Sequence, residues 1–303
     1  ATMKQISIFL FTAFLSCAAM GKSYIPYFQL CNDADRDMYH KQYDSALVKL
    51  EKAFNLVEYV HSDSYKKASE CAALTEDFSK AYQYAKKAIL NGYTFPFWKG
   101  KKLKKMRKTE WYTMLVDSSS HWKNQHFSSI NIAYKEVIDS LYYLDQRIVR
   151  NNQQVKGDYN IDPQTLPEEI YDLDTSIFQT LLSHIEQYGF PSEQTVGRQA
   201  SIDVGIIFHH NVRLPENHAY LPMMEEALKK GEFSPHRFAW MYDQGKRMKG
   251  ESPKFYFGAG TPETLSQQEK DEVDALRKKY GIKPIASTKV KTNGKRVTTL
   301  YLW

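Results

Sequence analysis

Residues 42–54 read QYDSALVKLEKAF and residues 77–89 read DFSKAYQYAKKAI, two versions of one pattern set 35 positions apart. Their alignment places Ala46 on Ala81, Leu50 on Ala85 and Ala53 on Ala88. Apolar residues at this spacing predict amphipathic helices, and the alanines allow neighbouring helices to approach closely. Each segment follows another predicted helix, at about residues 25–39 and 62–74. The pattern therefore predicts two consecutive helix pairs.

This pattern resembles the tetratricopeptide repeat (TPR), whose usual period is about 34 residues. The resemblance covers the alanine, large residue, alanine pattern of the second helix, whereas the family's first-helix Trp and Gly are absent here. It implies a short helical solenoid over residues 22–125. Such a module binds a protein or peptide segment, or acts as a spacer.

Residues 1–21 have the layout of a secretory signal peptide, in which Lys4 precedes the apolar run ISIFLFTAFLSCAAM. Ala19-Met20-Gly21 offers a cleavage site that would leave a chain starting near Lys22. Cleavage before Cys17, followed by lipidation, is the alternative. We therefore expect an exported protein that is periplasmic or associated with the cell envelope.

Composition indicates an ordinary globular protein, with 42% hydrophobic and 25% charged residues over 303 positions. The formal charge of +6 is too small to indicate nucleic-acid binding by itself. Without the signal peptide, two cysteines remain, Cys31 and Cys71. They either form a disulfide in an oxidising compartment or act as two small buried side chains. The absence of a CxxC pattern excludes a thiolate zinc site.

The segment KGKKLKKMRK (residues 99–108) carries seven Lys or Arg residues in ten positions. Leu103 and Met106 are three apart, which predicts one helix with a narrow apolar seam. Its charged face is either simply solvated or in contact with an anionic envelope surface, and nucleic acid is not expected for an exported protein. The polar stretch Asp117 to Gln125 then predicts the boundary before a second module, residues 126–285.

Two predicted helices of this second module carry carboxylates among apolar residues. Asp174 lies beside the apolar stripe of the helix at residues 167–188, and a buried carboxylate there must be paired. Asp203 and His210 are seven residues apart, on one face of the next helix, at about residues 196–211. His209 points about 100° away from His210. We expect His210 to face inward and His209 to be exposed.

A further helix starts at Ser234 and Pro235, which are typical of a helix N-terminus. It places His236 and Asp243 on one polar-aromatic face, and the segment PKFYFGAG (residues 253–260), which contains Tyr256, predicts a turn. At the C-terminus, Asn293-Gly294 lies between alternating segments and predicts a β-hairpin over residues 286–303.

Residues 141–284 resemble the bacterial domain of unknown function six-six-two-four family. The matching elements are Asp174, YGFP (188–191), Val196-Gly197, His209-His210, LPMMEEALKKGE (221–232), Ala239 with Asp243, FYFG (255–258) and LRKKYGIKP (276–284). His209 stands where the family has Gln, Gln244 stands where it has Arg, and Phe257 separates Tyr256 from Gly258. The resemblance implies an α-helical domain and supplies no reaction.

The candidate site residues are His210, Asp243 and Asp174, with Tyr256, His236 and Asp203 in second rank. A His with two carboxylates can perform acid/base chemistry, bind a divalent metal or bind a ligand. The same set can also form a hydrogen-bonded network that only stabilises the helices. No nucleophile motif or phosphate loop accompanies them, and no cofactor is predicted.

We therefore expect a mainly α protein, in which a short TPR-like solenoid precedes an α-helical domain with a C-terminal β-hairpin. The leading functional hypothesis is an envelope interaction or scaffold protein. The alternative is a hydrolase-like enzyme that uses His210, Asp243 and Asp174.

Overall fold

The computed structural model describes residues 23–156, 168–211, 220–257, 264–293 and 296–301, and it is mainly helical. The predicted signal peptide and Cys17 lie outside these ranges. Within them, no helix is both long enough and apolar enough to cross a membrane.

From residue 23 to residue 129 the N-terminal half contains five helices, and each packs against the next along the chain. They are α1 (Ile25–Tyr39), α2 (Tyr43–Phe54), α3 (Ser62–Leu74), α4 (Phe78–Leu90) and α5 (Glu110–Ser129). The aligned residues of the two repeated segments, Ala46, Leu50, Ala53, Ala81, Ala85 and Ala88, are all fully buried. Small side chains at these positions allow the helices to approach closely.

The basic segment at residues 99–108 is not the single helix that its sequence predicts. It contains short 3-10 turns at Phe97–Lys99, Lys101–Leu103 and Met106–Lys108. A 3-10 helix has three residues per turn, so positions three apart face the same way. Leu103 and Met106 therefore both point into the N-terminal core, where they are fully buried. Their spacing, which predicted an α-helical seam, fits the tighter turns equally well.

The polar stretch Asp117 to Gln125 is helical and belongs to α5, so it is not a linker. Its polar side chains alternate with Leu115, Ser119 and Trp122, which are buried. The hydrophobic cores nevertheless divide nearby, since the N-terminal core ends at Trp122 and the C-terminal core begins at Tyr134.

In the described residues of the C-terminal half there are seven helices. They are α6 (Ile132–Lys156), α7 (Glu168–Tyr188), α8 (Glu193–Val196), α9 (Arg198–Asn211), α10 (Leu221–Lys229), α11 (Pro235–Met248) and α12 (Gln267–Lys279). Helix α9 packs on both α6 and α7, and α11 packs on α9 and α10. Phe178, Phe208 and Phe238 are fully buried in this core.

Two strands follow α12 in the part of the chain that the structure describes. Strands β1 (Thr288–Asn293) and β2 (Arg296–Tyr301) pair antiparallel, with Thr288 opposite Tyr301 and Asn293 opposite Arg296. The predicted turn residue Gly294 lies outside the described residues.

Helix α1 joins the two halves through hydrogen bonds to backbone carbonyls of the C-terminal half. The Tyr24 N–H, just before α1, donates to the Lys229 carbonyl at 2.8 Å. The Gln29 side-chain amide donates to the Lys278 carbonyl, and that of Asn32 donates to the Gly281 carbonyl, both at 2.8 Å. The N-terminal half is thereby fixed against the C-terminal ends of α10 and α12.

A substitution at Gly231 tests this docking, because Gly231 lies against the Tyr24 ring. A Cβ atom at Gly231 would lie 2.2 Å from Tyr24 Cδ1, whereas one at Gly250 would meet nothing within 4 Å. Both glycines have a positive φ, at 78° and 70°. We expect Gly250→Ala to lower the free energy of unfolding by about 1 kcal/mol through backbone strain alone. Gly231→Ala should lower it by about 3 kcal/mol, because the clash adds to the strain.

The measurement is chemical denaturation of both variants beside the unchanged chain. Equal losses in the two variants would contradict the packing of Tyr24 on Gly231.

Candidate functional site

A cleft of about 510 Å³ lies between the two helical halves. Its N-terminal wall comes from α1 and α3, and its C-terminal wall from α9, the start of α11 and the segment after α12. The residues that carry its chemistry are Asp35, His61, Ser64, Lys67, Glu193, Arg198, Ser201, His236, Arg237 and Lys283. The volume falls in the range of small-molecule pockets.

A carboxylate from α1 connects two lysines across the cleft. Asp35 lies 2.8 Å from the Lys67 ammonium and 2.7 Å from that of Lys283. Lys67 also lies 3.4 Å from Asp63, one turn earlier on α3. The side chains of Asp35 and Lys283 are each only 11% exposed, so both charges depend on this pairing.

The pairing fixes the charge state of these groups. Burial alone would lower the pKa of Lys67, but the neighbouring Asp35 and Asp63 raise it above the usual lysine range. Burial alone would raise the pKa of Asp35, but Lys67 and Lys283 lower it. Lys67 therefore stays protonated and Asp35 ionised at neutral pH.

Three side chains that carry a potentially nucleophilic atom lie on the N-terminal wall of the cleft. The Tyr27 hydroxyl donates to Ser64 Oγ at 2.7 Å, and the Cys31 sulfur lies 3.5 Å from that oxygen. Ser64 and Lys67 are three apart on α3, the spacing at which a lysine can accept a proton from a serine. Because Lys67 is held protonated, it cannot serve as that base.

The thiols do not pair, since Cys31 and Cys71 are both free and buried. Burial raises the pKa of Cys31 to about 11 and that of Cys71 to about 12. Both are therefore protonated and poorly nucleophilic at neutral pH.

The C-terminal half supplies the cap of α3. This helix begins at Ser62, and its own N-cap residue, His61, makes no side-chain capping bond. Glu193 accepts the Ser62 N–H at 2.7 Å and lies 3.3 Å from His61 Nδ1. Burial alone would raise the pKa of Glu193, but the contacts with His61 and Ser62 lower it. A carboxylate at a helix N-terminus also interacts favourably with the helix dipole.

Of the six predicted residues, His236 lines the cleft. Its Nε2 lies 3.5 Å from the Lys283 N–H, and its ring packs 5.4 Å from that of Phe257. Burial, together with the positive charges of Lys283 and Lys67, lowers the pKa of His236 to about 3. The imidazole is therefore neutral at physiological pH.

Asp243 is fully buried and accepts three backbone N–H groups. The donors are Lys254 and Phe255 at 2.8 Å and Phe257 at 2.6 Å. Burial raises the pKa of Asp243 to about 6 against the opposing effect of these hydrogen bonds. Its carboxylate holds the turn that the sequence predicts after α11.

Arg277 holds the same turn through its carbonyls. The guanidinium is fully buried and donates to the carbonyls of Phe255 and Tyr256, both at 2.7 Å. It also donates to the Lys283 carbonyl at 3.2 Å. Tyr256 has a positive φ of 49°, which the contacts on both sides of it maintain. The predicted site residue Tyr256 therefore contributes its backbone here.

His210 pairs with Asp145 on α6. Asp145 was not among the site residues predicted from the sequence. His210 Nδ1 lies 2.7 Å from Asp145 Oδ1, and the exposed fractions of the two side chains are 15% and 0%. The expectation that His209 is exposed is wrong. It is buried, and its ring stacks on Trp240 with a centroid distance of 3.4 Å. The Trp240 ring, on α11, covers the side of α9 that helical periodicity predicts to be exposed to solvent.

The remaining two candidates lie elsewhere. Asp203 is buried and accepts the Gln199 side-chain amide at 2.8 Å, and burial raises its pKa to about 6. Asp174 is partly buried on α7. Neither lines the cleft, and the described ranges contain no group of three or more His, Cys, Asp or Glu side chains that could hold a metal ion.

Asp35, Lys67, Glu193 and Lys283 are not among the residues predicted from the sequence, because they come together only through tertiary contacts. Arg277 and Lys283 both lie in the LRKKYGIKP segment, whose sequence does not indicate their contacts. An arginine beside apolar Leu276 in an otherwise charged helix was the available signal.

No known family model matches this chain, and neither a curated protein nor a solved structure is significantly similar to it. The two family resemblances based on its motifs stay predictions.

The neutral His236 makes stability depend on pH. In the unfolded chain a histidine titrates near about 6.5, whereas in the folded chain the pKa of His236 is about 3. Between these values the unfolded state binds the extra proton, so stability is lost as the pH falls. We expect His236→Gln to reduce the loss in unfolding free energy between pH 7 and pH 4.5 by about 2 kcal/mol.

Urea denaturation at the two pH values measures this loss. His40→Gln is the control, because His40 is exposed. The same pH dependence in both variants would show that His236 is not held neutral.

Asp243→Asn should destabilise the fold. Asparagine has one acceptor oxygen and places an NH₂ group among the three donors, so backbone N–H groups lose their partner. We expect the free energy of unfolding to fall by about 3 kcal/mol. Thermal and urea unfolding measure it beside Asp172→Asn, an exposed carboxylate on α7 that should tolerate the change. An unchanged stability of Asp243→Asn would contradict a structural role for this carboxylate.

Proposed function

We propose that this chain is an exported interaction protein of the cell envelope, in which a TPR-like module and the α-helical domain together bind a segment of a partner protein. Export rests on the layout of residues 1–21. The neighbour-to-neighbour packing of α1 to α5 and the buried small residues of both repeated segments support the TPR-like module. Helical repeats commonly bind partners on the surface formed by stacked helices.

The cleft is the single observation that carries the proposal. Its N-terminal wall consists of α1 and α3, which are the first helices of the two repeated pairs. It offers both apolar surface, as at Phe28 and Ile202, and polar groups, as at Ser201. This mixture suits a peptide, whose backbone needs hydrogen bonds and whose side chains need apolar contact.

The contacts of the candidate residues favour binding over hydrolysis. The carboxylate of Asp243 is occupied by three backbone N–H groups, and the cation of Lys67 by two carboxylates. Neither can take a proton from a substrate or a nucleophile without breaking these contacts. His210, Asp243 and Asp174, on which the hydrolase alternative depends, are not among the residues that line the cleft.

Selection of binders from a random peptide library, with the full chain as bait, tests the proposal. Ser201→Trp places a large ring in the cleft and should weaken binding of the selected peptides at least about tenfold. The ring would occupy most of the surface that a bound peptide contacts. Ser183→Trp is the matched control. Both serines donate to the carbonyl three residues earlier, and Ser183 is exposed on α7.

Peptides that bind both variants equally, or no binder at all, would contradict the proposal. Hydrolysis of a chromogenic ester that is lost in His210→Ala at unchanged stability would instead support the enzyme alternative.

A further inference from the structure

The 3-10 turns at residues 97–108 arrange the basic residues by their contacts. Leu103 and Met106, which are three apart, both point inward. Lys102 and Lys105, also three apart, pair with acids of the α3 region. Lys102 lies 2.7 Å from Glu70, and Lys105 lies 2.5 Å from Glu76. One row is therefore buried, and two lysines of a second row are neutralised.

Four lysines of this segment remain unpaired. Lys99, Lys101, Lys104 and Lys108 are exposed, and none has an acidic partner within ion-pairing distance in the described part of the chain. Lys101 and Lys104 are three apart and share one side of the turns. Lys99 and Lys108 continue the row of the two paired lysines, so the unpaired positive charge lies on both exposed rows of the segment.

The segment is held in place, so its charges have fixed positions. Arg107 donates from Nη2 to the carbonyls of Lys99 and Gly100, which closes the segment on itself. Trp98 is 3% exposed and anchors the start of the turns in the N-terminal core. Lys123, on α5, lies 5.8 Å from the centre of the Trp98 ring and adds a nearby cation.

An exposed aromatic residue precedes the lysines. Phe95 is 58% exposed, and Pro96 beside it is also exposed. The Phe97 N–H donates to the Phe95 carbonyl at 2.7 Å, so the chain turns tightly between this ring and Lys99. The combination of a projecting aromatic ring with lysines is the pattern by which proteins adsorb to a charged bilayer.

We infer that Phe95, Lys99, Lys101, Lys104 and Lys108, which we call the basic turn surface, dock on an anionic phospholipid membrane. The lysines would neutralise lipid phosphates while the Phe95 ring enters the headgroup region. A bilayer accommodates both groups, whereas a nucleic-acid backbone offers no apolar layer for a projecting ring. This inference rests on surface charge and does not depend on the cleft or on what it binds.

Vesicle co-sedimentation of the full chain tests the inference. We expect binding to vesicles of equal amounts of phosphatidylglycerol and phosphatidylcholine, which weakens with added salt, and much weaker binding to phosphatidylcholine alone. Replacement of Lys99, Lys101, Lys104 and Lys108 by Gln should weaken binding to the anionic vesicles at least about tenfold. The apolar run at residues 6–20 is unchanged in every variant, so any vesicle binding that it adds is the same in all of them.

A matched variant controls for total charge. Replacement of Lys52, Lys230, Lys249 and Lys279 by Gln removes the same charge from exposed positions outside the segment and should leave binding within about twofold of the unchanged chain. An equal loss in this control would overturn the inference, because only net charge would then matter.

Two further outcomes separate the possible partners. Phe95→Ser should weaken binding to the anionic vesicles while retaining its salt dependence. Tighter binding of the unchanged chain to a short DNA duplex than to the anionic vesicles, at the same salt concentration, would overturn the membrane assignment.

Discussion

The buried Arg277 guanidinium imposes a constraint that extends across the molecule. Arginine does not lose its proton in a protein, so a fully buried guanidinium must find acceptors. It finds them in the carbonyls of Phe255, Tyr256 and Lys283. Because the Asp243 carboxylate binds the N–H groups of the same turn, the backbone there is fixed from both sides. The two charges fix the backbone of a loop whose Phe255 and Phe257 rings are buried in the C-terminal core.

This arrangement also determines how the halves of the molecule meet. The Arg277 contact holds the Lys283 backbone, and the Lys283 ammonium reaches Asp35 on α1. Asp35 in turn holds Lys67 on α3. A chain of polar contacts therefore runs from the C-terminal core, through the wall of the cleft, into the N-terminal half. These charged groups are stabilised by their ionic partners and not by close packing of apolar side chains. The cleft that they line therefore stays open.

The helices follow from the sequence because their signals are local. Residues 25–39 and 62–74, predicted from the repeated pattern, match α1 and α3. At residues 99–108 the same reasoning failed, since two apolar residues three apart fit a period of 3.6 or of 3.0. Charges crowded along the segment disfavour a continuous α-helix, and Lys102 and Lys105 pair with acids that the sequence leaves far away.

The candidate site was predictable only in part, because its pairs are tertiary. Spacing on α9 suggested Asp203 as the partner of His210, yet that histidine meets Asp145 on α6. Periodicity describes one helix surface and does not show which neighbour covers it. Asp243 shows a second limit of prediction from sequence. A carboxylate among apolar residues indicates that the group is paired, but it does not indicate which group is its partner. Here the partner is backbone, and the fold itself uses the charge that a catalytic site would have needed.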